Sequence, residues 1–161
     1  MKKTLALVLA MIMMFAFTTV AFAEEPTTTV KGEYAAIKAE IQVLRDELMG
    51  LRENHKSIHA QAIEKRDNLK NLFKTAKEAS LTEKIEAAKA FKDQLKAIST
   101  EIKTIREDKA SIWIQLKAAK TQNDFETVKS NLTQIIVLKK QIIAKATSRL
   151  DIMDNIIDTL K

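Results

Sequence analysis

His55 and His59 are the only histidines in the chain, and they stand four residues apart. On a helix this spacing puts both imidazoles on one face, one turn apart, where two nitrogens could grip a transition metal. A stable site wants three or four ligands, and no third stands out in the sequence. Residues 55 to 59 read HKSIH, which lacks the glutamate of an HExxH metalloprotease helix, and Arg52 and Lys56 add positive charge nearby. The competing reading makes His55 a polar position on a packing seam and His59 its exposed neighbour. The pair is the candidate for a metal-responsive role, and no metal or cofactor is assigned to it.

Other chemistry has little material. The chain has no cysteine, which removes thiol nucleophiles, Cys-ligated zinc, thiol-attached haem and disulfide staples. With the histidines confined to one pair, neither a Ser-His-Asp nor a Cys-His arrangement can be assembled. Two glycines cannot build a phosphate-cradling loop. The carboxylates alternate with lysines, as on solvated helix faces. The reading is a non-enzymatic protein with no catalytic residues, no cofactor and no small-molecule substrate.

The elements that would position these residues follow an export signal. Lys2 and Lys3 open it, Thr4 to Ala23 carries no charge, and Ala21-Phe22-Ala23 closes it as a small-x-small cleavage site before Glu24. The alternative is an uncleaved anchor, since twenty uncharged residues can span a bilayer. A bacterial lipid anchor needs a cysteine that the chain lacks. Residues 1–23 are therefore expected to direct Sec-type export to the periplasm, the cell envelope or the exterior of a bacterium. Cleavage leaves 138 residues, enough for one domain with a modest core, and lowers the net charge from +6 to +4 by removing two lysines. Export and interspersed charge argue against nucleic acid. Protein clients, self-association or an anionic envelope surface are the partners that a mild basic excess favours, with ordinary solubility as the bland account.

Residues 24–31 read as a flexible leader around Pro26, and 32–161 as an all-α coiled-coil-like antiparallel bundle of three long helices. The first, about 33–79, carries a seam spaced alternately by four and three: Ile37, Ile41, Leu44, Leu48, Leu51, His55, Ile58 and so on to Ala79. His55 and Lys65 are its polar positions, and a bend is expected near Arg66-Asp67. A straight helix of this length would reach about 70 Å, longer than the other two, so its surplus must project, pack against a second copy or fold back near Arg66-Asp67, and heptads sustained this long make a homodimer a reasonable expectation.

Ser80-Leu81-Thr82-Glu83 fits a capping box opening the second helix, about 81–119, although a helix continuous through Ser80 is the alternative. Its seam includes Lys109 and shortens by one residue between Ala88 and Phe91, a local stammer. Asn123 reads as the N-cap of the third helix, about 124–160, with Glu126 at its third position. Doublets Ile135-Ile136, Ile142-Ile143 and Ile156-Ile157 widen that helix's apolar arc, so it should be the most buried. Trp113, one position past the seam at Ile112, either covers the core edge or belongs to an exposed patch. Asn131-Leu132-Thr133 matches a glycosylation acceptor inside a predicted helix.

Asn123-Asp124-Phe125-Glu126-Thr127-Val128-Lys129 resembles an Asp-x-Phe-Asp-x-Val-Lys stretch of the Spy/CpxP group of bacterial periplasmic proteins. The exported, cysteine-free, helical and mildly basic chain resembles that group too. The resemblance implies an ATP-independent chaperone, a curved helical dimer holding clients on a basic, partly apolar concave face. The group's LTxxQ signature is begun at Leu81-Thr82 and Leu132-Thr133 but lacks its glutamine in both places. No binding residue carries over.

Overall fold

The computed structural model describes residues 28–161, with side chains from Gly32 onward. The export signal, its cleavage residues Ala21, Ala23 and Glu24, and leader residues 24–27 lie outside the described residues. Four helices follow: α1 (Thr28–Glu78), α2 (Thr82–Lys89), α3 (Lys92–Thr121) and α4 (Phe125–Leu160). α2 and α3 continue one another, so three helical rods pack together as an all-α bundle. Two expectations change here. Residues 28–31 are helical rather than leader, and α1 runs unbroken past Arg66-Asp67. Alanine, leucine, lysine and glutamate favour helix along its length, and no proline interrupts it.

The two reversals of direction are built alike. At the first, the Leu81 amide donates to the Ala76 carbonyl at 2.9 Å and the Ser80 amide to Lys77 at 3.1 Å. At the second, Asp124 donates to Ala119 at 3.0 Å and Asn123 to Lys120 at 3.3 Å. Both are Schellman closures, which satisfy the last carbonyls of a helix by placing one residue in the left-handed region. Those residues are Ser80 (φ 54°) and Asn123 (φ 56°).

The expected capping assignments are corrected accordingly. Ser80 terminates α1 instead of capping α2, and the Leu81 position before α2 has no side-chain cap. Asn123 terminates α3, and the N-cap of α4 is Asp124, whose carboxylate accepts from the Thr127 amide at 3.0 Å and from the Thr127 hydroxyl at 2.6 Å. The stammer also has a structural counterpart. Between α2 and α3 the Phe91 amide reaches back only three residues, to Ala88 at 3.3 Å, which tightens the turn where the seam loses a residue.

Interhelical ion pairs fix the directions. Glu40 pairs with Lys129, Glu47 with Lys140 at 2.7 Å, and Lys65 with Asp154. Partners rise together along α1 and α4, so these helices are parallel. α3 runs against both, and Lys145 of α4 meets Glu101 at 2.5 Å. Near the start of the bundle Tyr34 and Phe125 meet edge to face, ring centres 5.9 Å apart. The surplus of α1 within this bundle is therefore small.

The core forms three apolar clusters along the axis. One joins Ile41 and Leu48 to Leu116, Val128, Leu132 and Ile135. A middle cluster centres on Ile58, Leu150 and Met153. The last joins Ala76 and Ala88 to Ile152, Ile156 and Leu160. α4 supplies most of the buried residues, as its wide apolar arc predicts.

Candidate functional site

Between the first and middle clusters all three rods contribute a basic group to the packed face. α1 brings His55, α3 brings Lys109 and α4 brings Lys139. His55 and Lys109 are half-buried, while Lys139 is only 7 % exposed. Arg52 of α1 and Arg106 of α3 stand close enough for their charges to act on this layer.

Electrostatics register the crowding. Burial, then the charges of Lys109, Arg106 and Arg52, pulls the Lys139 ammonium down to about 8 from its ordinary 10.5. Burial and then Arg106 and Arg52 lower Lys109. His55 is also lowered, first by burial and then by Lys139, Arg106, Lys109 and His59, which leaves its imidazole neutral at pH 7.

Carboxylates are directed elsewhere. α4 carries four lysines, and three of them pair across to other helices: Lys129 with Glu40, Lys140 with Glu47 and Lys145 with Glu101. Lys139, the most buried, has no ion-pair partner among the described residues. One cleft of about 140 Å³ opens beside this layer, lined by His55, His59, Arg106, Arg149 and Ser99 among others. The Arg149 Nε at its wall is fully buried and finds no acceptor.

The structure thus brings His55 and His59 to one cleft but surrounds them with cations. No group of three or more histidines or carboxylates able to hold a metal occurs among the described residues. Positive neighbours oppose a divalent cation and suit an anion.

A second concave surface lies between α1 and α3. Arg45, Met49, Arg52, Trp113 and Lys120 line this groove of about 240 Å³, with buried Leu48, Leu116, Val128 and Leu132 beneath. Arg45, Arg52 and Lys120 form no ion pair among the described residues. Trp113 is half-buried and packs against the first core cluster, covering its edge, and its side chain also lines the groove. Asn131 is 4 % exposed with its amide nitrogen unpartnered, so the glycosylation acceptor is sealed inside the bundle.

Lys139 and Arg149 were missed in the sequence although a signal was present. Val128, Leu132, Ile135, Lys139, Ile142, Ala146, Arg149 and Met153 alternate by four and three without a slip. The isoleucine doublets drew attention to the width of the arc and hid its axis.

No described helix is long and apolar enough to cross a membrane. Comparisons with protein-family models, curated proteins and solved structures find no match to this chain.

Proposed function

We propose that this chain is a non-enzymatic binding protein that takes acidic, partly apolar protein segments in the groove between α1 and α3. The observation that carries the reading is the pairing of apolar and cationic groups there. Met49 is exposed, Trp113 is half-buried, and Arg45, Arg52 and Lys120 stand around them without ion-pair partners among the described residues. Tryptophan and arginine are the side chains that most often dominate protein interfaces, because each offers a large rigid surface together with a polar group. An acidic segment with apolar side chains complements both features, and steering by charge would speed its encounter. The export pattern of residues 1–23 supports a site of action in the cell envelope.

Trp113 is the sole tryptophan, so its emission reports directly on the groove. Titration at low salt with an unstructured peptide alternating glutamate and leucine should shift that emission, and a lysine-leucine peptide should not. Arg45→Ala combined with Lys120→Ala should weaken binding about tenfold. Equal responses to both peptides, or none to either, would sink the reading. Suppression of aggregation of an acidic client without nucleotide would add the holding activity that the Spy/CpxP resemblance implies. Binding without suppression would leave partner recognition as the function.

A further inference from the structure

We propose that the cleft lined by His55, Arg106 and Arg149 is a binding site for a phosphate-class oxyanion, a tetrahedral dianion either free or carried as a monoester, with the Lys139 charge acting from behind His55. This goes beyond the groove reading and rests on different residues.

The first support is an unpaired buried charge. Lys139 is 7 % exposed, and no carboxylate pairs with it among the described residues, although the other three lysines of α4 all reach one. An ammonium removed from water without a counter-ion costs several kcal/mol by general estimates, and an apolar residue of similar size would serve packing better. The second support is independent of the first. Arg149 Nε, one of the guanidinium's donors, is buried at the cleft wall with no acceptor.

Charge on the surrounding turns points the same way. Arg52 and His55 on α1, and Arg106 and Lys109 on α3, act on the layer. The acidic residues of these turns are drawn outward to other lysines: Glu53 to Lys56, Glu107 to Lys103 and Glu101 to Lys145. Asp108 lines a different groove, between α3 and α4. Among the described residues no carboxylate pairs with Lys139, and the layer is left favourable to an anion from outside.

The donor types select the anion. Two arginines, Arg106 and Arg149, line the cleft and offer planar forks that match two oxygens of a phosphate, while Lys139 adds positive charge from outside the lining. The Ser99 hydroxyl donates to the Leu95 carbonyl at 2.7 Å, so its proton is not offered to the cleft. His55, neutral at pH 7, can donate one N–H. A carboxylate would bring a single charge to a layer of four cations, whereas a phosphate dianion brings two.

The test is calorimetric titration and thermal melting of the purified protein at pH 7. The probes are inorganic phosphate, glycerol phosphate, and vesicles of phosphatidic acid in phosphatidylcholine, with chloride at equal ionic strength as control. At least one probe should bind and raise the melting temperature beyond chloride. Arg106→Gln should weaken that binding about tenfold, and Lys139→Met, which removes a charge behind the lining, should weaken it by a smaller factor. Lys139→Met should melt higher than the parent without ligand, which separates lost binding from lost folding. Binding of inorganic phosphate assigns a free ion, preference for glycerol phosphate a monoester, and vesicle binding that both variants reduce a lipid headgroup. The inference is overturned if no probe exceeds chloride, or if both variants bind as tightly as the parent. Arg45→Ala with Lys120→Ala should leave this binding unchanged, so its outcome is distinguishable from failure of the groove reading.

Discussion

Lys65 of α1 meets Asp154 of α4 across the bundle, and this pair shows what the layer around Lys139 lacks. Both Lys65 and Lys139 occupy strict seam positions. Lys65 is given a carboxylate from the facing helix, with its side chain still 25 % exposed. Lys139 is more deeply buried and is given further cations.

Replacing Lys139 with methionine should stabilise the protein at pH 7. The ammonium's pKa falls to about 8 in the folded chain against 10.5 when unfolded, so the unfolded chain holds the proton more tightly between these values. Stability of the parent therefore climbs as pH rises from about 8 to 10.5, and the penalty acts in full below 8. The variant should be about 2–3 kcal/mol more stable at pH 7, with a smaller margin at pH 10. Urea denaturation of both proteins at the two pH values measures this. A margin independent of pH would show that titration of Lys139 is not the cause.

Asp154→Asn removes the partner of Lys65 and should cost about 1 kcal/mol, since the pair is partly exposed and water screens the loss. Lys65→Met in the same background should recover stability, because the ammonium left without a partner is then gone. A double-mutant cycle by chemical denaturation gives the coupling. A value near zero would mean that the pair contributes nothing.

Asp124→Ala should destabilise the protein by about 1 kcal/mol, the usual cost of losing an N-cap, while Asp124→Asn should lose only part of it. Hydrogen bonds from the Thr127 hydroxyl and amide hold the Asp124 carboxyl below its ordinary pKa. Its contribution is present above the ordinary carboxylate range and is lost as pH falls through the depressed value. Alanine at Asn123 tests the assignment from the other side. If Asn123 were the cap, that variant would lose the acid-dependent part as well; it should keep it.

Ser80→Gly should raise stability by about 0.5 kcal/mol. Serine holds φ 54° at the end of α1, a conformation that crowds its Cβ and costs glycine nothing. Part of the gain is offset by the greater freedom of glycine in the unfolded chain. Asn123→Gly should be nearly neutral, because asparagine tolerates the left-handed region. Thermal melts of the two variants side by side test the contrast, and equal shifts would count against it.

The long seam of α1 was readable because its period is dictated by packing. From Ile37 to Ala76 each seam residue is buried or half-buried. The boundaries at the two turns were misplaced by one residue or two, because serine and asparagine suit both the start of a helix and the left-handed residue that ends one. Sequence alone does not decide between these uses; the carbonyls of Ala76 and Ala119, which need donors, do. The candidate site was half legible. His55 stood out as a polar seam position and Lys109 lay in the seam of the second helix, but their meeting with Lys139 depends on the vertical register of three helices, which no local pattern specifies.

The partner of Lys65 lies 89 residues further along the chain. A slightly longer span separates Ile58 from the Leu150 and Met153 that complete the middle of the core. During synthesis, α1 therefore exists for most of the chain's length with its apolar stripe uncovered. The rod that follows it can shield one side, but the bundle closes only when α4 has emerged. A chain ended after Thr121 should accordingly bind an apolar dye and self-associate, and monodisperse behaviour of that fragment would argue otherwise. A helix this long and this regular makes the nascent chain adhesive until its last segment arrives, so the order of elements sets a waiting time as well as a shape.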